Sequence, residues 1–213
     1  MAVTDAIKLR IYNGALRRLG DRSLASLTED REPRRVLDGA WGSNDEVVKW
    51  ALERGEWNFG IKSVQIDYNP SVSSSFGFRY THDKPTDLRR LASLSADEYM
   101  RVPLTNDQYI DEATFWFTDY QVLFVRYVSD DTDYGLNAAA WPELFKEMIE
   151  TKLALESCER LTNSKGLGDR LYQELQVAIK TAKSHDAMQE GIKFFPRGSW
   201  ARARGGYGRR GEY

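Results

Sequence analysis

Few residues in this chain have the chemistry of a catalytic or metal site. Histidine, the commonest general base and a frequent metal ligand, occurs only as His82 and His185, far apart and in polar surroundings. This pattern predicts two surface histidines. The single cysteine, Cys158, lies near the apolar positions of a predicted helix without a histidine nearby in sequence, which favours a packed thiol over a nucleophile. We therefore expect no enzyme, no cofactor and no metal centre.

Two acidic segments and one glycine-containing segment share residue types with ligand-binding loops. SDDTDY and NDQYIDE lack the ligand order of a twelve-residue calcium loop, so we interpret them as solvated loops. NSKGLGD does not follow a predicted strand and lacks the spacing of a phosphate loop. It predicts a turn between two helices.

The last twenty residues, FFPRGSWARARGGYGRRGEY, differ in composition from the rest of the chain. They combine arginines and aromatic residues with glycines, although the whole protein has a formal charge of -2. Arginine pairs well with carboxylates or phosphates, and aromatic side chains often anchor interfaces. We predict a C-terminal arm whose partner-binding residues are Phe194, Phe195, Arg197, Trp200, Arg202, Arg204, Tyr207, Arg209 and Arg210.

Composition limits the other possible functions. The 213 residues, 41% of them hydrophobic, are enough for one substantial core. Acidic and basic residues nearly cancel, so the body of the chain has no general electrostatic basis for binding DNA or an anionic membrane. No apolar run approaches the roughly 18 residues of a membrane span, and the start lacks the apolar segment of a signal peptide. We expect a soluble protein that is not exported.

Apolar periodicity predicts four main helices at the two ends of the chain. The first runs from an N-cap at Thr4 to Gly20, and the second runs from Pro33 to Gly55. The third begins at Pro142 and ends at NSKGLG, and the fourth covers about 169–189. The six tryptophans, apart from Trp200, are mostly assigned to the core.

Strand-like sequence lies between the two helical pairs. Strands are predicted around IKSVQIDY, SFGFRYT and DLRRLASL, and ATFWFTDYQVLFVRYVS predicts two more joined at Asp119–Tyr120. SADEYMRVPLTNDQYIDE is interpreted as a loop or projecting arm. The predicted fold class is α+β, with an antiparallel bundle of four main helices (1–56 and 138–193), an inserted β-rich domain (57–137) and an extended C-terminal arm (194–213).

Several stretches, in this order, resemble the head-to-tail connector proteins of short-tailed bacteriophages, also called adaptors or tail tubular protein A. IYNGALRRLGDRSLASLTED is similar to the family's opening helix, and LERGEWNFGIKSVQI to its passage from the second helix into the first strand. YTHDKPTDLRRLASL and FVRYVSDDTDYGLNAAAWPELFKEMIETKLALESCERLTNS resemble later segments. The matching positions are Asn13, Ala15, Leu16, Leu19, Gly20, Trp57, Phe59, Pro85, Asp87, Leu88 and Arg90.

The resemblance covers about residues 7–190 and implies a structural virion protein without enzyme activity. It implies a ring of twelve subunits beneath the portal protein, with a tail tube or nozzle protein attached below. Phage DNA would pass through the bore without sequence-specific binding, and the ring would be assembled in the host cytoplasm. The resemblance stops before Phe194, so it implies nothing about the arginine-rich arm.

Two other classes of function remain open from sequence. The arm alone suggests a nucleic-acid-binding protein, because arginine, glycine and tyrosine can contact phosphates and stack on bases. The acidic body argues against that interpretation. A hydrolase would require a convergent pair of carboxylates, which sequence cannot reveal.

Overall fold

Five helices form at the two ends of the described chain. The computed structural model describes residues 3–74 and 77–189, and in these ranges the mixed α+β class is confirmed. Gly20, with φ of +76°, follows the first helix, where a left-handed residue commonly ends a helix. The helices are α1 (Val3–Leu19), α2 (Glu32–Trp41), α3 (Glu46–Glu53), α4 (Glu143–Thr162) and α5 (Lys165–Gln189).

The prediction of one long second helix is wrong, because the chain breaks it into α2 and α3. Gly42 and Asp45 have φ values of +82° and +52°, so the helical path cannot continue through 42–45. The side chain of Asp45 accepts a hydrogen bond of 2.7 Å from Trp41 Nε1, which stabilises the turn. Both halves bury apolar residues, so the apolar pattern alone does not reveal the break.

The turn between α4 and α5 is shorter than predicted. Asn163 takes the left-handed conformation (φ +50°) that ends α4, and α5 begins at Lys165 instead of near Asp169. Gly166 and Gly168 consequently lie inside the first turns of α5. Asparagine tolerates this conformation, so the glycines are not needed for the turn.

In the described ranges, six strands form two antiparallel sheets of three strands each. The strands are β1 (Ile61–Asp67), β2 (Tyr80–Asp83), β3 (Leu88–Ser95), β4 (Tyr109–Asp111), β5 (Phe115–Thr118) and β6 (Val122–Ser129). One sheet has the order β1-β6-β3 and the other β2-β5-β4. The strands predicted at IKSVQIDY and DLRRLASL are confirmed, and in SFGFRYT the described strand begins at Tyr80.

The segment interpreted as a polar loop or projecting arm is partly strand. It contains β4, and Pro103 forms a bridge with Ser95 at the end of β3. Strands pair through main-chain hydrogen bonds, which do not require apolar side chains. A polar strand therefore shows no apolar pattern in the sequence. The turn at Asp119–Tyr120 connects β5 and β6 as predicted, but these strands belong to different sheets, so the turn links the two sheets.

The buried apolar side chains of the described residues form two clusters. The larger involves all five helices together with Trp57, Val128 and Trp141. The smaller lies among the strands and contains Leu94, Trp116, Leu123, Val125 and Tyr127. Helix α4 packs against α1, α2, α3 and α5 and is central to the helical part. Within the described ranges, no helix combines the length and the apolarity that crossing a membrane would require.

Candidate functional site

The nine residues assigned to the partner-binding arm, from Phe194 to Arg210, lie outside the described residues. Their assignment stays a prediction. The other residues that the sequence singled out lie within the described ranges. Cys158 is buried, as predicted, and His185 is exposed, as predicted.

His82 is fully buried, so its predicted surface position is wrong. It lies in β2 opposite Trp116 of β5, and its Nε2 is 3.3 Å from the main-chain oxygen of Gln121. Because a carbonyl oxygen only accepts, the neutral ring donates from Nε2. Burial lowers the pKa of His82 below its ordinary value, although main-chain hydrogen bonds oppose this effect. The burial comes from the pairing of β2 with β5, which the polar neighbours of His82 in sequence do not reveal.

We expect acidification to destabilise the protein through His82. Its pKa is lowered on folding, so the unfolded chain binds the proton more readily, and stability is lost as the pH falls below about 6.5. Urea unfolding at pH 7.5, 6.5 and 5.5 measures this loss. His82→Gln, whose amide can still donate to Gln121, should lose less stability over this range than the wild type. His185→Gln is the matched control at an exposed histidine, and a flat wild-type profile would contradict the prediction.

Four aromatic residues meet where the helices join the strands. The ring of Phe145 lies 5.0 Å from Trp57, 4.8 Å from Phe59 and 5.6 Å from Trp141, centroid to centroid. Both buried indole N–H groups are satisfied, because Trp57 donates to Ala51 O and Trp141 donates to Gly135 O. This aromatic cluster holds the end of α3, the start of β1 and the start of α4 together.

Helix α5 is tied to the same junction through Asp186. The main-chain N–H of Asn58 donates to the carboxylate of Asp186, at 3.1 Å to Oδ2, and the Asn58 side chain donates to the Asp186 main-chain oxygen at 2.9 Å. The C-terminal part of α5 therefore lies beside the start of β1. The undescribed residues 190–213 continue from this end of the helix.

A network of polar side chains centres on Asp87, one of the positions that carry the family resemblance. Its carboxylate accepts hydrogen bonds from Ser129 Oγ at 2.6 Å, Tyr127 OH at 3.0 Å and Lys62 Nζ at 2.9 Å. Lys62 also donates to Asp131 at 2.9 Å. Burial disfavours the charged carboxylate, but these hydrogen bonds outweigh it and hold the pKa of Asp87 below its ordinary value. The network joins β1, β6 and the segment before β3.

The interpretation of SDDTDY as a wholly solvated loop is wrong. Asp130 pairs with Arg89 and lies 3.6 Å from Lys49, and its side chain is only 11% exposed. Asp131 pairs with Lys62. Lysine and arginine neutralise these carboxylates, and nowhere in ranges 3–74 and 77–189 do three potential metal ligands converge. The sequence concealed these pairs because their partners are distant along the chain.

Asn13, another resemblance position, holds the loop that follows α1. Its Nδ2 donates to Leu24 O at 3.1 Å, and its Oδ1 accepts from Leu24 N at 2.7 Å. One amide side chain thus bonds to both the main-chain N–H and the C=O of buried Leu24, and this holds the loop against α1. The role of Asn13 is thus structural.

A polar cavity of about 680 Å³ lies beside α1, and Glu150 of α4 is among the residues that line it. Glu150 is buried against Gly14, where any larger side chain would meet its carboxyl group. Burial raises the pKa of Glu150, although Arg18 and Arg17 oppose this shift. Gly14 therefore makes room for Glu150, which explains why glycine is tolerated inside α1.

Two exposed apolar surfaces were missed by the sequence analysis. Tyr99 and Val102, in the loop after β3, are 69% and 71% exposed. On α5, Val177 and Met188 are 65% and 79% exposed. Val177 and Met188 are eleven residues apart, which places them on one face of α5. Two apolar residues at this helical spacing, among charged neighbours, are the pattern from which an exposed apolar face could have been predicted.

Comparison with known proteins leaves the chain without an assigned family. No known protein-family model matches it, and no curated protein does either. The aromatic cluster joins the helical part to the start of β1. The Asp87 network joins strands to one another.

Proposed function

We propose that the chain is a head-to-tail connector, a structural virion protein that joins the portal of a short-tailed bacteriophage to its tail. The observation that carries this proposal is that residues of separate resembling stretches contact one another. Trp57 and Phe59 of one stretch pack on Phe145 of another. Likewise, the carboxylate of Asp87, in a third stretch, accepts hydrogen bonds from Tyr127 and Ser129, which belong to the same stretch as Phe145. The resembling stretches therefore pack together in one folded unit, which supports the proposal.

Twelve subunits form the proposed ring, with their helical parts side by side. Within one subunit, α4 packs against α1 and α5, which supports a bundle of the kind proposed. The strands β3 and β6 contact α3 of the helical part. The portal would lie on one side of the ring and a tail tube or nozzle protein on the other.

The proposed bore carries phage DNA without holding it. Residues 190–213 contain six basic and two acidic residues, so the rest of the chain has an excess of acidic residues. A channel lined by clustered arginines would bind phosphates strongly and in a salt-dependent manner. An acidic body is better suited to passage of a genome.

The proposed arm, 194–213, attaches the subunit to the portal. Phe194, Phe195, Trp200 and Tyr207 would enter apolar pockets, while the five arginines would pair with carboxylates on the partner. Each contact would be modest, but repetition around a ring multiplies their effect through avidity. The arm thus explains why arginines are concentrated at one end of an acidic protein.

Truncation after Gln189 tests the proposal, using the portal protein encoded with this chain. The truncated protein should fold with an unchanged circular dichroism spectrum but bind the portal more weakly, with attachment failing at lower salt than for the full chain. Mass measurement of the full-length complex should give many connector copies per portal.

Two results would count against the connector. One or two copies per portal would exclude a ring, and unchanged portal binding after truncation would remove the role of the arm. Submicromolar binding of the truncated protein to duplex DNA at physiological salt would contradict the proposed bore, which passes DNA without holding it.

A further inference from the structure

The cavity beside α1 contains a buried carboxyl group that accepts no hydrogen bond from the described chain. Glu150 of α4 is only 8% exposed, and it forms part of the cavity wall. Its carboxyl group lies directly against Gly14 of α1, which has no side chain to cover it. No N–H or O–H group of the described residues donates to the carboxyl oxygens. Burying a carboxyl group without a donor costs free energy, so Glu150 keeps its capacity to accept hydrogen bonds from a ligand.

The same cavity wall contains one arginine without an ion-pair partner among the described residues. This arginine is Arg17 of α1, whose side chain is exposed. The other two charged residues of the wall are paired, since Arg10 Nη2 lies 2.5 Å from Glu143 Oε2. Asp21 Oδ1 lies 3.6 Å from Arg31 Nη2. The wall therefore offers one unpaired basic group and one unpaired acidic group.

The size and charge of the cavity favour a small molecule that carries both signs of charge. Its volume of about 680 Å³ is within the range of small-molecule sites. Two arginines and two carboxyl groups in the wall cancel in formal charge, so neither a simple cation nor a simple anion is matched by the whole site. An α-amino acid has an ammonium group with three N–H donors and a carboxylate that a guanidinium group can bind through two hydrogen bonds.

We propose that the cavity between α1 and α4 binds a free α-amino acid, whose ammonium group donates to Glu150 and whose carboxylate pairs with Arg17. The ligand thereby links the two helices. Because it binds the folded chain, it also raises the free energy of unfolding. This inference goes beyond the connector proposal and does not rest on it.

Chemical-shift titration of the ¹⁵N-labelled full chain tests the site, with L-alanine, L-glutamine and L-arginine as probes. We expect at least one amino acid to shift the main-chain amide signals of Gly14, Gly20 and Ser23, which belong to the cavity wall. Methylammonium and acetate each supply only one of the two charges. Each should bind at least about tenfold more weakly than that amino acid, because it forms only one of the two charge-assisted contacts.

Two substitutions in the wall test the roles of the charged groups. Glu150→Gln and Arg17→Gln should each weaken binding of that amino acid by about tenfold, with an unchanged circular dichroism spectrum. Arg17 is exposed and unpaired, so its replacement does not threaten folding. Glu159→Gln, at an exposed position of α4, and Arg22→Gln, in the loop after α1, are the matched controls and should leave the affinity unchanged.

The midpoint of thermal unfolding gives a second measurement. The amino acid should raise it in the wild type and in both controls, but much less in Glu150→Gln. Wall signals that stay unshifted with all three amino acids would overturn the proposal. Methylammonium binding as tight as that of the amino acid would overturn it too, because such a site does not use Arg17. Binding that neither wall substitution weakens would place the amino acid elsewhere on the protein. All of these measurements use the free chain, so they are separate from the test of portal binding.

Discussion

Replacing Gly135 with alanine is expected to lower the free energy of unfolding by about 3 kcal/mol, at the upper end of the effects of overpacking. Gly135 is buried in the loop between β6 and α4 and packs against Leu52 of α3. A methyl group there would overlap the Ser129 main-chain oxygen and lie 2.7 Å from Leu52 Cδ1. A main-chain oxygen cannot rotate away as a side chain can, so the turn itself must move.

Movement of this turn would also disturb the aromatic cluster, because Gly135 O accepts the Trp141 indole N–H at 2.8 Å. Urea unfolding followed by tryptophan fluorescence measures the loss. Gly39→Ala is the matched control: Gly39 is exposed in α2 with no atom near an added methyl group, so this variant should gain about 0.5–1 kcal/mol. A Gly135→Ala protein as stable as the wild type would contradict the proposed close approach.

Asp87→Ala is expected to cost about 3 kcal/mol, because the change leaves several buried groups without their acceptor. Lys62, Tyr127 and Ser129 all donate to the carboxylate in the wild type. For a protein of this length the midpoint of thermal unfolding should fall by roughly 6–12 °C. Asp133→Ala is the control at an exposed aspartate of the nearby loop, and it should change stability by less than about 0.5 kcal/mol.

We expect the stability of the protein to fall in a second, more acidic pH range because of the Asp87 carboxylate. This range is distinct from that of His82. Its pKa is lowered on folding, so its contribution is present above about pH 4 and is lost as the pH falls through the folded-state value. Asp87→Asn keeps an acceptor oxygen but cannot titrate, so its stability should depend less on pH below 4. An Asp87→Asn profile that parallels the wild type would show that the network does not control this range.

The α+β class and most of the element positions followed from local patterns in the sequence. An element that buries one face carries apolar residues at regular intervals along the sequence. This pattern predicted α1, α4 and α5 from their helical period and β1 from its alternation. The break between α2 and α3 coincides with turn-forming residues at 42–45, but the apolar pattern continues on both sides and concealed it. Sequence also identified Cys158 as a packed thiol, because its apolar neighbours lie on the same helix.

Tertiary structure decided the residues whose partners are distant in sequence. His82 is buried because β2 pairs with β5, and nothing within YTHD specifies that pairing. Asp130 and Asp131 are structural because Arg89, Lys49 and Lys62 reach them from other elements. Val177 and Met188 are exposed because α5 packs against α4 with its opposite side and leaves these apolar residues uncovered. A local pattern records the preference of a residue for water or core, whereas pairing depends on which elements the folded chain brings together.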